Sequence, residues 1–213
     1  MKQGVPTRLT PMPHDGGVLE DHPCHYRQLA LPRGDLWLYA YGSLMWHPPF
    51  QYADAQPGLL RGYHRSFCIY STRYRGTTEA PGLVLGLDRG GACRGRVFRI
   101  PRVAIWNALE AVWKQEMRRC VYVPRFLPVR LSSGRPRLAL TLLANRTHDG
   151  YAGRLPEVEV ARIIASCSGE RGPNVDYLVN TIAQLREMGV QDAHLHRVLA
   201  VVRRLECGRR AGL

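Results

Sequence analysis

Between residues 36 and 144 the chain breaks into short apolar runs, each stopped by glycine, proline or a small polar cluster. The first run, Leu36-Trp37-Leu38-Tyr39-Ala40-Tyr41, ends abruptly at Gly42-Ser43. Arg65 to Ser71, Leu83 to Leu87, Gly95 to Ile100, Cys120 to Leu131 and Arg137 to Ala144 follow. Turn signals stand between them at Arg75-Gly76, Pro81-Gly82, Arg89-Gly90-Gly91 and Ser132-Ser133-Gly134. Short runs punctuated this way form strands, and many strands with little chain between them favour a closed or strongly curved sheet. One stretch breaks the pattern: Ile105, Trp106, Leu109, Val112 and Trp113 recur at helical spacing within residues 102–117. After Tyr151 helical spacing takes over. Helices are expected over 156–167, closed by Gly169, over 175–188, with Asn174 as N-cap and Gly189 just past the end, and over 192–205. The fold class is therefore α+β: a sheet-rich middle with one inserted helix and C-terminal helices packed against it. Residues 1–33 form an N-terminal extension, 34–206 one domain and 207–213 a short tail.

A chain of 213 residues is long enough to bury a core without disulfides or a structural metal. With 45% apolar and 22% charged residues, disordered, collagenous and coiled-coil classes are excluded. No apolar run reaches membrane-spanning length, and the N-terminal MKQGVPTRLTPMPHDGG lacks the apolar core of a secretory signal. A soluble cytoplasmic protein is the expectation. The net charge is +13, almost entirely arginine, since Lys2 and Lys114 are the lysines. The excess is scattered. Its short runs, Arg118-Arg119, Arg203-Arg204 and Arg209-Arg210, are pairs and not a stripe. This pattern suits solvated faces more than a nucleic-acid partner, though the net field would draw in a small acidic substrate. The cysteines, Cys24, Cys68, Cys93, Cys120, Cys167 and Cys207, form no C-x-x-C pair and are read as buried thiols. His22, Cys24 and His25 are the one local cluster of ligand types, and no second cluster completes a zinc site, so no metal is expected.

Four stretches could carry chemistry. With about 100° per residue and Leu109 at zero, Glu116 falls about 20° away, in the middle of the apolar arc of its helix. A carboxylate so placed faces the core or a cavity beside it, and desolvation raises its pKa toward that of a useful proton shuttle. The alternative is a structural glutamate paired with an arginine. Tyr41-Gly42-Ser43-Leu44 follows a strand and can present successive backbone N–H groups to an anion or oxyanion. The alternative there is a plain β-turn. Ser71 to Thr77, including Arg73, offers hydroxyls and a cation for a carboxylated substrate, or is a solvated loop. Tyr151, between glycines, can orient a substrate with its hydroxyl or pack at the start of a helix. No P-loop, nucleophile elbow or H-E-x-x-H motif is present.

In order and spacing these pieces resemble the ChaC family of γ-glutamylcyclotransferases, in its glutathione-specific branch. The matching segments run from about Leu36 to Val202. They are Tyr41 to Trp46, Arg61-Gly62-Tyr63, Arg65-Ser66-Phe67, Pro81 to Leu87, Gly95 to Arg99, Trp113 to Met117, Asn145 to Gly153, Gly172-Pro173-Asn174 and Tyr177-Leu178. The resemblance implies a small β-barrel with flanking helices. It implies conversion of glutathione to 5-oxoproline and cysteinylglycine, with no cofactor. It assigns the general acid/base to Glu116, with Gln115 standing where the family carries arginine. It assigns substrate binding to Tyr41, Gly42, Ser43 and Leu44, with Leu38, Tyr39 and Ala40 on the strand leading in. Ser71, Arg73 and Tyr151 are further substrate contacts by the same resemblance. A related enzyme acting on other γ-glutamyl amines, and a non-catalytic basic binding module, are the competing readings.

Overall fold

The computed structural model describes residues 25–211. Strands β1 (Leu36–Ala40), β2 (Asp54–Ser71), β3 (Gly82–Ile100), β4 (Tyr122–Leu131) and β5 (Pro136–Ala144) close into a barrel in the order β1-β3-β2-β4-β5. All neighbours are antiparallel except β1 and β5, whose parallel pairing of Leu38 with Leu140 shuts the cylinder. Helix α1 (Ile105–Glu116) is inserted between β3 and β4, and α2 (Glu157–Ser166), α3 (Asn174–Glu187) and α4 (Ala193–Ala211) follow the barrel. A two-residue hairpin, β6 (Ser168–Gly169) and β7 (Gly172–Pro173), joins α2 to α3.

The α+β barrel expected from the sequence is present, with instructive differences. Gly90 and Gly91 do not turn the chain. They sit inside β3 with φ of +101° and +68°, opposite Gly62 at +84°. Pairing passes from Tyr63↔Arg89 to Arg61↔Ala92 across this bulge, so one long strand replaces two short ones. Positive φ in a strand bends the ribbon, and glycine supplies it without a Cβ clash. At Gly95 the requirement is space: a Cβ there would meet the Ala40 carbonyl and the Tyr39 ring, so glycine lets β1 close onto β3.

The cysteines also depart from expectation. Cys68 and Cys93 are buried thiols, but Cys207 is exposed and Cys120 is disulfide-bonded. His22 and Cys24 of the candidate ligand cluster lie outside the described residues, as does the rest of 1–24. The described end of the extension packs on α1, where the Tyr26 ring meets Trp113 edge-on at 5.7 Å.

The helices follow the apolar periodicity closely, apart from their ends. Pro173 occupies the cap position of α3, and Asn174 begins the helix with its side chain turned inward. Asn174 is fully buried, accepts the Leu83 N–H at 2.6 Å and donates to the Leu83 carbonyl at 2.8 Å. It thereby completes the hydrogen bonding of β3 and fixes α3 over the end of the barrel. Gly189, at φ +68°, ends that helix as expected. Replacing Asn174 by alanine would orphan a buried donor and a buried acceptor. Asn174→Ala should therefore lower the unfolding free energy by roughly 2–3 kcal/mol. Urea unfolding measures this, and an unchanged midpoint would contradict it.

Candidate active site

The barrel end nearest α3 holds a pocket. Leu38, Tyr39, Ala40, Tyr41, Gly42, Ser43 and Leu44 line one side. Glu116, Leu85, Tyr122, Leu140, Leu142 and Tyr177 complete it. Residues 73 positions apart thus meet: the Ser43 hydroxyl donates to Glu116 Oε1 at 3.3 Å.

Two local causes put Glu116 there. Ile105, Leu109, Val112 and Trp113 bury one face of α1, and Glu116 follows on that face at the last turn. The sequence reading placed Trp106 in the same arc, but Trp106 is 51% exposed and lies at the edge of the buried stripe. Position along the helix matters too, because the C-terminal end of the helix dipole disfavours an ionised carboxylate.

The glycine turn is equally specific. Residues Ser43–Met45 form a single 3-10 turn after Gly42, and no side chain caps it. Among the described residues, the N–H groups of Gly42, Ser43 and Leu44 have no protein acceptor. Free N–H groups at the start of a helical turn, lining a pocket, suit an anion or a developing oxyanion. Glycine at position 42 leaves room for the Tyr177 hydroxyl, which a Cβ would approach to a tight 3.1 Å.

The Glu116 carboxylate is asymmetric. Gln115 Nε2 donates to Oε1 at 2.9 Å, the same oxygen that Ser43 holds. Among the described residues Oε2 accepts no hydrogen bond, which leaves it available to a ligand. Burial raises the carboxyl above its ordinary pKa; the bonds from Gln115 and Ser43 and the charge of Arg171 pull the other way without cancelling it. Gln115 thus keeps a contact to the carboxylate, but a neutral one. Burial, and then the nearby Glu116 charge, also push the Tyr177 and Tyr41 hydroxyls upward, and burial does the same at Tyr122. These phenols stay protonated at neutral pH. Tyr122 spends its proton on the Leu85 carbonyl at 3.0 Å.

Three residues singled out in the sequence do not line the pocket. Ser71 accepts the Arg75 N–H at 3.1 Å and shapes its own loop. Arg73 is exposed and paired with Glu170 at 2.8 Å. The Tyr151 hydroxyl donates to Asp88 at 2.8 Å. Conversely Tyr122, Tyr177 and the apolar wall of Leu85, Leu140 and Leu142 were not read as site residues. Tyr177 carried one signal, its place on the buried face of a helix behind Gly172-Pro173-Asn174. Tyr122 carried none, because an aromatic residue in a strand is ordinary core.

The raised Glu116 pKa has a consequence for stability. The folded state keeps that proton to higher pH than the unfolded chain does. The group therefore contributes stability below its unfolded value, about 4.3, and loses it as pH rises through the folded value. Glu116→Gln stays neutral throughout. It should melt like wild type below about pH 4 and higher than wild type at neutral pH. Thermal melts across pH check this, and a Gln variant that melts lower at neutral pH would contradict it.

Comparison with known proteins agrees with this architecture. The ChaC-like protein family model matches residues 36–205. The chain is 34% identical over 172 residues to a glutathione-specific γ-glutamylcyclotransferase of Escherichia coli K12, covering 81% of this chain and 74% of that one. It is 32% identical over 187 residues to the human glutathione-specific γ-glutamylcyclotransferase 1, covering 80% and 82%. The fold matches a crystal structure of the yeast γ-glutamyl cyclotransferase specific to glutathione, with TM-score 0.75, 22% identity and coverage of 80% of this chain and 96% of that one. With a family match across most of its length, this chain belongs to the ChaC-like family.

Proposed function

We propose that the protein cyclises the γ-glutamyl unit of glutathione, releasing 5-oxoproline and cysteinylglycine. The observation that carries this reading is the meeting of Glu116 with the uncapped glycine turn in one pocket. The names of the relatives supply the substrate, and the chemistry fits the parts present.

In this mechanism the glutamyl α-nitrogen attacks its own γ-carbonyl. A C–N bond forms to close the five-membered lactam, and the C–N bond to cysteine breaks. The attacking nitrogen begins as an ammonium and must shed a proton before it has a lone pair. Glu116 Oε2 takes that proton, while Ser43 and Gln115 hold Oε1 and fix the carboxylate plane. The raised pKa brings its affinity for a proton closer to that of an amine. The carbonyl oxygen becomes an oxyanion, stabilised by the N–H groups of the turn at Gly42 to Leu44. When the intermediate collapses, Glu116 returns its proton to the departing cysteinyl nitrogen. It then takes up the second proton left on the attacking nitrogen, so that the lactam keeps one N–H, and is reset by passing that proton to the released amine. No water enters the step, which suits the apolar wall of Leu85, Leu140 and Leu142. The enzyme's main task is to hold the glutamyl chain curled, since effective molarity in a ring closure is large. Ser71, Arg73 and Tyr151 shape the loops around the barrel and have no step in this scheme.

The same reading takes the cytoplasm as the compartment and neither nucleic acid nor membrane as a partner. No helix among the described residues is long and apolar enough to cross a membrane. The rival within the family is action on other γ-glutamyl amines, and a substrate panel separates the two.

The test is to incubate the purified protein with glutathione and measure 5-oxoproline and cysteinylglycine. Wild type should release both in equal amounts and should prefer glutathione to γ-glutamyl amino acids. Glu116→Gln should cut turnover by roughly 10²–10⁴-fold while keeping the fold. Glu116→Asp should also fail, because the carboxylate retreats by about one methylene. A Gln variant with wild-type turnover would remove Glu116 from the mechanism.

A further inference from the structure

Arg65 lies on β2, outside the pocket, yet it is one of the most deeply buried charges described. Its side chain is only 2% exposed, and its planar guanidinium is divided among three elements. Nε donates to the Tyr41 carbonyl at 2.7 Å. Nη2 donates to the Arg94 carbonyl on β3 at 2.7 Å, and Nη1 to Asp192 Oδ2 at 3.0 Å. Asp192 in turn caps α4, its Oδ1 accepting the Leu195 N–H at 3.2 Å. Burying an arginine is costly unless each donor is satisfied, and here the three acceptors come from the β1 exit, β3 and the start of α4.

The acceptor on Tyr41 matters most. Its C=O and the N–H of Gly42 belong to one planar trans peptide, so they point in opposite directions. Holding the carbonyl fixes the N–H on the other side. Arg65 does not line the pocket, whereas Tyr41 and Gly42 do, and the Gly42 N–H, opposite the held carbonyl, has no protein acceptor among the described residues. Gly42 cannot secure this alone. It has no side chain to restrain its torsions, and no capping side chain anchors the turn.

From this geometry we infer that Arg65 is a positioning residue for catalysis: it clamps the Tyr41–Gly42 peptide so that the Gly42 N–H faces the reacting carbonyl, with Asp192 holding the clamp. The inference rests on the cyclotransferase reading for its kinetic consequence but not for the clamp itself. Lysine cannot replace the fork, because its single ammonium cannot serve three acceptors in one plane.

Three variants test it. Arg65→Lys keeps the charge and removes the planar fork. Asp192→Asn removes the partner's charge and preserves a good helix cap. Turnover is measured under conditions where circular dichroism shows each variant folded, and the Gly42 amide is followed by ¹⁵N relaxation dispersion. Arg65→Lys should lower kcat by about 10²-fold, as for loss of one preorganised donor, with KM little changed. Asp192→Asn should show a smaller loss in the same parameter. In both, the Gly42 amide should gain exchange broadening from a mobile peptide that is absent in wild type. Added methylguanidinium should restore part of the kcat of Arg65→Ala. A folded Arg65→Lys variant with wild-type kcat, or one whose Gly42 amide behaves as in wild type, overturns the inference. If Arg65→Lys does not fold, the Gly42 amide of Asp192→Asn decides alone. A wild-type protein inert toward glutathione would refute the functional reading, while the amide measurement would still judge the clamp.

Discussion

A partly buried carboxylate set against a glycine turn is the constraint on which the site depends. Glu116 closes helix α1, and Ser43 opens the turn after β1. Neither end has a role without the other: the carboxylate needs a substrate held still, and the turn needs a proton carrier beside it. The barrel brings them together. β1 pairs with β3 on one side and β5 on the other, so its exit is fixed at the rim. The helix that follows β3 packs five apolar side chains inward and delivers its last turn to that rim.

The polar atoms around the carboxylate divide its two oxygens. Ser43 and Gln115 both hold Oε1, which locks orientation and leaves Oε2 to the substrate. A neutral amide at position 115 stabilises the ionised form less than a guanidinium would, so burial keeps the upper hand over the pKa. The shape of the pocket serves the same end. Tyr177 closes over Gly42 from α3, and Asn174 pins that helix to β3 three residues earlier. Buried hydrogen bonds at Asn174 and Arg65 thus support the site from outside the pocket.

Much of this was legible in the sequence. The abrupt stop at Gly42-Ser43 marked the end of β1, and the helical phase of Glu116 placed a carboxylate on an apolar face. Both were local patterns. What escaped notice was set by tertiary contact. Gly90-Gly91 read as a turn because glycine pairs usually mark one, but Gly62 across the ribbon makes them a bulge. Asn174 read as a cap by residue type, while Leu83 claimed both its side-chain atoms. Trp106 shared the phase of the buried face and still lies half in solvent, because the stripe is narrower than the arc drawn for it. Tyr122 and Tyr177 look like core aromatics in sequence, and only the closed barrel shows that their faces line a pocket. Ser71, Arg73 and Tyr151 show the reverse: polar residues whose hydrogen bonds are taken by Arg75, Glu170 and Asp88, away from the pocket.

The most direct measurement is a crystal structure with 5-oxoproline bound. The account predicts the lactam nitrogen within hydrogen-bond distance of the free oxygen of Glu116, and the lactam carbonyl turned to the backbone N–H groups after Tyr41. A product molecule seated elsewhere on the protein, or one whose ring nitrogen points away from that carboxylate, would contradict it.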